Sequence, residues 1–192
     1  MGRNKQYDEQ VVLEKAMHCF WRNGYENTTV RQLEKEMGIN QFSIYANFKN
    51  KSELYRRVLG KYEKDLDQRY LTELKKEDAQ LEEVRSFLFN FAMSIHRRKV
   101  PNSCLMVQSV MNIEQFDPAI QKVIRSFFLN MKQYFKNALN NSLSARQIGP
   151  NTNVELEADF LVGVAQSISI FSKLQSKKKI TDYIDHAIQK IQ

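Results

Sequence analysis

The stretch TVRQLEKEMGINQFSIYANFKNKSEL, residues Thr29 to Leu54, reads as two short helices around a tight turn and the opening of a third. Thr29 with Gln32 is a capping-box pattern. Val30, Leu33 and Met37 recur at helical spacing, and Gly38 supplies the left-handed residue that ends the first helix. A short turn follows, and Asn40 can cap the second helix. There Ile44 and Phe48 share one face and point inward, leaving Gln41, Phe42, Ser43, Tyr45 and Asn47 on the others. No carboxylate occurs from Asn40 to Phe48. A surface helix selected only for solubility usually carries Glu or Asp, so the pattern is that of a helix-turn-helix whose second helix meets phosphates and base edges.

Working outward, a helix is expected from about Asp8 to Asn23, stopped by Gly24, with Val12, Ala16, Cys19 and Phe20 as its inner stripe. Downstream, Asn50 and Glu53 form another cap pattern, and Leu54, Tyr55, Val58 and Tyr62 give an apolar face running to about Tyr70. The run KKEDAQLEE, residues 75–83, is the most charged part of the chain and reads as a solvated junction. Beyond it, apolar spacing predicts helices over Leu81–Arg97, Val154–Leu174 and Ile180–Ile191, and a long one from Pro118 to about Asn141. Pro101 is expected to break the first of these. Segment 103–115 is apolar enough to be buried nearly all round.

With 192 residues, 42% of them hydrophobic, the chain can bury a real core. Three prolines, six glycines and little strand-type alternation point to an all-α protein. No apolar run is long enough to cross a membrane, and MGRNKQYDEQ lacks a signal-peptide core, so a cytoplasmic protein with no membrane partner is expected. Cys19 and Cys104 lack zinc or redox spacing, and no carboxylate or histidine cluster suggests a metal or other cofactor. His18, His96 and His186 are scattered with no partner spacing, which argues against an enzyme. The net charge of +7 is compatible with a polyanionic partner. Residues 1–60 hold ten Lys/Arg and seven Asp/Glu, and the rest nineteen and fifteen, so excess charge is denser in the first third. Its cations, Arg3, Lys5, Arg31, Lys49 and Lys51, flank the reading helix.

Ala16, Phe20, Gly24, Tyr25, Thr28-Thr29-Val30, Leu33, Gly38 and the string Tyr45-x-x-Phe48-x-x-Lys51-x-x-Leu54 together resemble the DNA-binding domain of the TetR family of transcriptional repressors. GRNKQYDEQ and FWRNGYENTT are similar to a branch with a Gly-Arg-Pro-Arg-like arm, with Asn4 and Lys5 in place of Pro-Arg. Ser103-Cys104-Leu105 resembles the family's Gly-Cys-Leu fragment. The resemblance implies a helix-turn-helix domain over residues 1–52 with a basic arm, and a helical effector-binding and dimerisation domain over 53–192. It also implies a homodimer on a palindromic double-stranded operator, its readers in successive major grooves roughly 34 Å apart, released by a small-molecule effector. Tilting of the helix after Asn50 would couple the two domains.

Within that frame, Thr29 and Arg31 suit phosphate or a base edge. Gln41 is the candidate for a bidentate contact to adenine, with Asn40, Ser43 and Asn47 as further donors and Phe42 placed to pack on a thymine methyl. Tyr45 and Lys51 suit phosphate oxygens. A cation in a helix's first turn opposes the dipole by up to about 1 kcal/mol, which argues for a bound anion at Lys51. Family analogy places an effector pocket in the larger domain, with Phe87, Phe91, Cys104, Met106, Met111, Phe116, Phe127, Met131, Tyr134 and Phe135 as candidate walls. Cys104, at a helix start after Arg97-Arg98-Lys99, carries an alternative as an electrophile or oxidant sensor. A same-fold DNA binder without effector is the other alternative. Phe160, Leu161, Gly163, Val164, Ile168 and Phe171, with Tyr183 on the last helix, are the expected dimer face.

Overall fold

Short polar side chains start the helices of this chain. The computed structural model describes residues 7–97 and 103–192. Asp8 caps α1 (Glu9–Asn23), accepting the Gln10 N–H at 2.8 Å, and Gly24 follows its end at φ 79°. Thr29 caps α2 (Val30–Met37) in the expected box, its oxygen 3.2 Å from the Gln32 amide while the Gln32 side chain accepts the Thr29 N–H at 2.7 Å. Asn40 caps α3 (Gln41–Phe48), and Asn50 caps α4 (Lys51–Leu66). The chain then continues through α5 (Leu81–Arg97), α6 (Leu105–Val110), α7 (Pro118–Ser144), α8 (Val154–Leu174) and α9 (Lys177–Gln189). Pro118 sits in the first turn of α7 behind an Asp117 cap, as a missing N–H allows. No strand occurs among the described residues.

Ala16, Phe20, Leu33, Met37, Ile44, Phe48 and Leu54 bury themselves where α1 to α4 meet. Emptying such a site, as in Phe48→Ala, costs about 3–5 kcal/mol. In the larger part α7 packs along α8, and α5 packs on α8 and α9. Buried serines close the backbone accounts of this region. Ser142 accepts the Leu81 N–H at the start of α5, and Ser169 accepts the Cys104 N–H, both at 3.0 Å.

Helix α4 belongs to both parts, packing on α1 and on α7, so a boundary at residue 52 falls in its first turn. Its outward side is tied to the bundle. Tyr55 Oη lies 2.8 Å from Ser109 Oγ, Tyr62 donates to Cys104 Sγ at 3.3 Å, and Ser52 donates to the Asp117 carboxylate. The Phe116 ring packs against those of Tyr25 and Tyr55, at 5.1 and 5.5 Å between centroids. Burial pushes the Tyr55 hydroxyl up to about 12, against the lowering effect of its hydrogen bond to Ser109.

Some expectations change. The fourth helix does not run regularly to Tyr70: it passes at Leu66 into a π turn, Asp67–Leu71. The last helix starts three residues early, at Lys177, because Ser176 caps it. Segment 103–115 is not buried all round. α6 ends at Val110 and a 3-10 turn (Ile113–Gln115) crosses the surface, leaving Met111 77% exposed. The break assigned to Pro101, the cations Arg98 and Lys99 and the arm with Arg3 and Lys5 lie outside the described residues.

Candidate nucleic-acid interface

The turn before α3 is closed by three local bonds. Gly38 adopts φ 73° and ψ 24°, and its N–H reaches Glu34 O at 2.9 Å. Asn40 Oδ1 accepts the Ser43 N–H at 2.9 Å, and the Glu34 carboxylate accepts the Gln41 N–H at 2.6 Å. An acidic side chain therefore sits against the positive end of α3, where a phosphate would otherwise be favoured. Two of the free amides at this end are thus engaged within the chain, and the surface that α3 leaves open is made of side chains. The sequence reading missed Glu34, because its partner lies across the turn and no helical spacing links them.

Ile44 and Phe48 point inward with no exposed surface. Gln41, Ala46 and Phe42 are exposed, Phe42 by 87%, while Ser43, Tyr45 and Asn47 are half-buried. Asn47 turns its amide back to Ser43 O at 2.7 Å, so part of its donor capacity is used within the helix. Ala46, not anticipated, is the small residue of this face and lets another surface approach the backbone. Arg31 is exposed on α2, and Thr29 is exposed but engaged in its cap.

Lys51 differs from its expected setting. Its ammonium lies 3.3 Å from Glu26 O and 4.5 Å from the centre of the Tyr25 ring, and burial lowers its pKa against the raising effect of Glu26. A carbonyl and a ring face within the chain already offset the unfavourable dipole, so no bound anion is needed to explain this lysine. The next cation, Lys49, is exposed at the end of α3 with φ 61° and ψ −56°. Asn50 N–H bonds Phe48 O at 2.6 Å across it, a γ-turn of the strained, positive-φ kind. Glu53 then holds Arg56 by two bonds of 2.7 Å and Arg57 at 3.2 Å. These bonds bring its carboxyl down to about 2. Arg57 also reaches Glu9 at 3.1 Å and lies 5.3 Å from the Phe48 ring, joining α4 to α1 and α3.

The expected pocket residues mostly pack on one another. Phe87, Phe91, Met106, Phe116, Phe127, Met131 and Phe135 are buried, with the Phe87 ring 5.9 Å from both Phe91 and Phe135. Cys104 is buried beside Tyr62. Tyr134 is half-buried with the Lys75 ammonium 5.5 Å from its ring centre. Met111, on the surface, cannot wall an interior pocket. On α8 the expected dimer face divides. Leu161, Val164 and Ile168 are buried in the chain's own core, whereas Phe160, Gly163 and Phe171 are exposed, Phe171 stacking on half-buried Tyr183 at 5.3 Å. The exposed set also includes Leu156, Ile170 and Leu174.

This arrangement is a helix-turn-helix reader mounted on a helical bundle, the build of a DNA-binding transcriptional regulator. Residues 12–58 match the model of bacterial regulatory proteins of the tetR family, and residues 80–190 match that of tetracyclin repressor-like C-terminal domains. The chain belongs to the TetR family, whose members are regulators rather than enzymes. It is 27% identical to the transcriptional repressor ComR of Escherichia coli, over 90% of this chain and 82% of that protein. It is 21% identical to the uncharacterised regulator YezE of Bacillus subtilis, over 96% of each. Among solved structures, a cysteine-substituted form of the regulator CifR with 26-bp double-strand operator DNA superposes with a TM-score of 0.85. It is 21% identical and covers 97% of this chain and 98% of that one. A regulator from Chloroflexus aurantiacus gives 0.82 at 15% identity, covering 95% and 94%. No described helix is long and apolar enough to cross a membrane, and no described group of three or more His, Cys, Asp or Glu could hold a metal.

Proposed function

We propose that this regulator is a repressor that binds a near-palindromic operator as a homodimer, one α3 in each of two successive major grooves, and leaves it when a small-molecule effector binds. The observation that carries the DNA reading is Phe42, a phenyl ring 87% exposed on a helix without carboxylates. A ring left in water on such a face gains its burial against another surface, and a thymine methyl between polar base edges fits it. Gln41 is the base-reading partner beside it, and Arg31, Thr29, Ser43, Tyr45 and Lys49 position the backbone. ComR is named as a repressor and the CifR structures hold operator DNA, which supports repression and duplex binding here.

The dimer face is the outer stripe of α8. Leu156, Phe160, Gly163, Ser167, Ile170 and Leu174 follow steps of three and four residues along its full length, with Phe171 and Tyr183 beside them. Apart from half-buried Ser167 this stripe is exposed in the single chain, and the backbone at Gly163 allows close approach of a symmetry mate.

Selection of bound sequences from random duplex DNA tests the reading. A palindrome with half-sites about one turn apart is the expected result. Gln41→Ala is expected to relax one base position in each half-site by about 1–3 kcal/mol. Enrichment of a single unrepeated site, or of nothing, would remove the dimeric operator model.

A further inference from the structure

Between α1, the π turn after α4 and α5 lies a cavity of about 140 Å³. Met17, His18 and Trp21 line it from α1, Tyr62 and Tyr70 from the α4 side, and Phe91 from α5. Trp21 meets Tyr62 edge to face at 5.1 Å, and His18 lies nearly parallel to Trp21 at 6.4 Å. An apolar cavity of ~150 Å³ takes up benzene, so this chamber has room for one aromatic ring. The π turn contributes Arg69 and Tyr70 to the wall, and such turns concentrate at functional sites.

Charge around the chamber distinguishes the ligand's polar end. Asp65 is already compensated by Lys61 at 2.8 Å. Arg69, exposed, has no ion-pair partner among the described residues. Arg69 and Tyr70 also line an adjoining open groove that brings in Phe89, Met93 and Arg97 and contains no carboxylate. Arg69 is thus the guanidinium shared by chamber and groove, with Arg97 further along the groove, while exposed Glu14 and the Lys61-paired Asp65 also line the chamber.

We propose that this chamber binds a small aromatic carboxylate, its ring among Trp21, Tyr62 and Tyr70 and its carboxylate on Arg69. The site touches the reader through α1, the connecting helix through Tyr62 and the bundle through Phe91. Tyr62 carries the contact further, since its hydroxyl holds Cys104 at the start of α6. That the ligand acts as the effector rests on the effector-responsive reading above; that it binds does not.

Trp21 is the chain's only tryptophan, so its emission reports the chamber directly. The full-length protein would be titrated with benzoate, with benzylamine, benzyl alcohol and acetate as controls. A saturable change with benzoate, none with acetate, and weaker binding of benzylamine are expected. Arg69→Gln should weaken benzoate about tenfold, the worth of a charge-assisted hydrogen bond, and leave benzyl alcohol unchanged. Benzylamine binding as tightly as benzoate, a response that never saturates, or an Arg69→Gln protein with undiminished benzoate affinity would overturn the site. Adding benzoate to the complex with the selected duplex reads the effector role separately. Saturation at Trp21 with unchanged duplex affinity upholds the site and removes the effector reading, whereas release by benzoate without a Trp21 response overturns the site alone.

Discussion

Lys49 closes the reader helix at a local cost in backbone strain. At φ 61° and ψ −56° an L side chain is strained, by about 1 kcal/mol or more, and glycine is not. Lys49→Gly is therefore expected to raise the unfolding free energy by up to about 1 kcal/mol in urea denaturation. The same change should lower the salt slope of duplex binding by about one, if the exposed ammonium meets a phosphate. Glu53 supplies a test in pH. Its carboxyl, held near 2 by Arg56 and Arg57, loses its proton more readily in the folded chain than in the unfolded one. The resulting stability is fully present above the ordinary carboxyl value of 4.5 and disappears as pH falls from there toward 2. Glu53→Gln should cost on the order of 1–2 kcal/mol at pH 7, with the gap to wild type closing across that window. Caps such as Thr29, Asn40 and Asn50 were legible in the sequence because they act within three residues. Glu34 on the Gln41 amide and Glu26 under Lys51 were not, since tertiary approach decides them.

At the scale of elements, periodicity located nearly every helix but could not rank two apolar faces on one of them. α8 is apolar on both sides. The expected interface, Phe160, Leu161, Gly163, Val164, Ile168 and Phe171, mixes the two: the bundle takes Leu161, Val164 and Ile168 as core, because α5 and α7 cover them, and leaves Phe160, Gly163 and Phe171 outside. Met111 was misplaced for a related reason: helix spacing was extended past Val110, where the chain turns into a surface 3-10 segment. The chamber at Trp21 was invisible because its walls come from three elements far apart in the chain. Between α4 and α6, Tyr55→Phe tests the polar tie. Ser109 keeps its bond to Leu105 O at 2.7 Å, so the loss should be only about 1 kcal/mol in chemical denaturation. Wild-type stability should also fall from pH 10 upward through about 12, as the unfolded hydroxyl ionises first, and the Phe variant should lack that Tyr55 contribution.

For the whole molecule, the outer stripe of α8 predicts assembly. Ile170→Glu puts a charge in the middle of the proposed interface, at a side chain 52% exposed in the single chain. It should leave the helical circular-dichroism signal intact and shift the sedimentation coefficient from dimer to monomer. A variant that remains dimeric would relocate the interface. Duplex affinity should fall with dimerisation, because two half-sites are then held by separate chains. The buried apolar residues of reader and bundle form one continuous cluster, from Val12 through Tyr55 and Phe116 to Ile191. Apolar packing thus runs unbroken from one part to the other among the described residues. The reader should therefore melt together with the bundle in a single calorimetric transition, and residues 7–50 alone, deprived of α4, should not hold a fold at all.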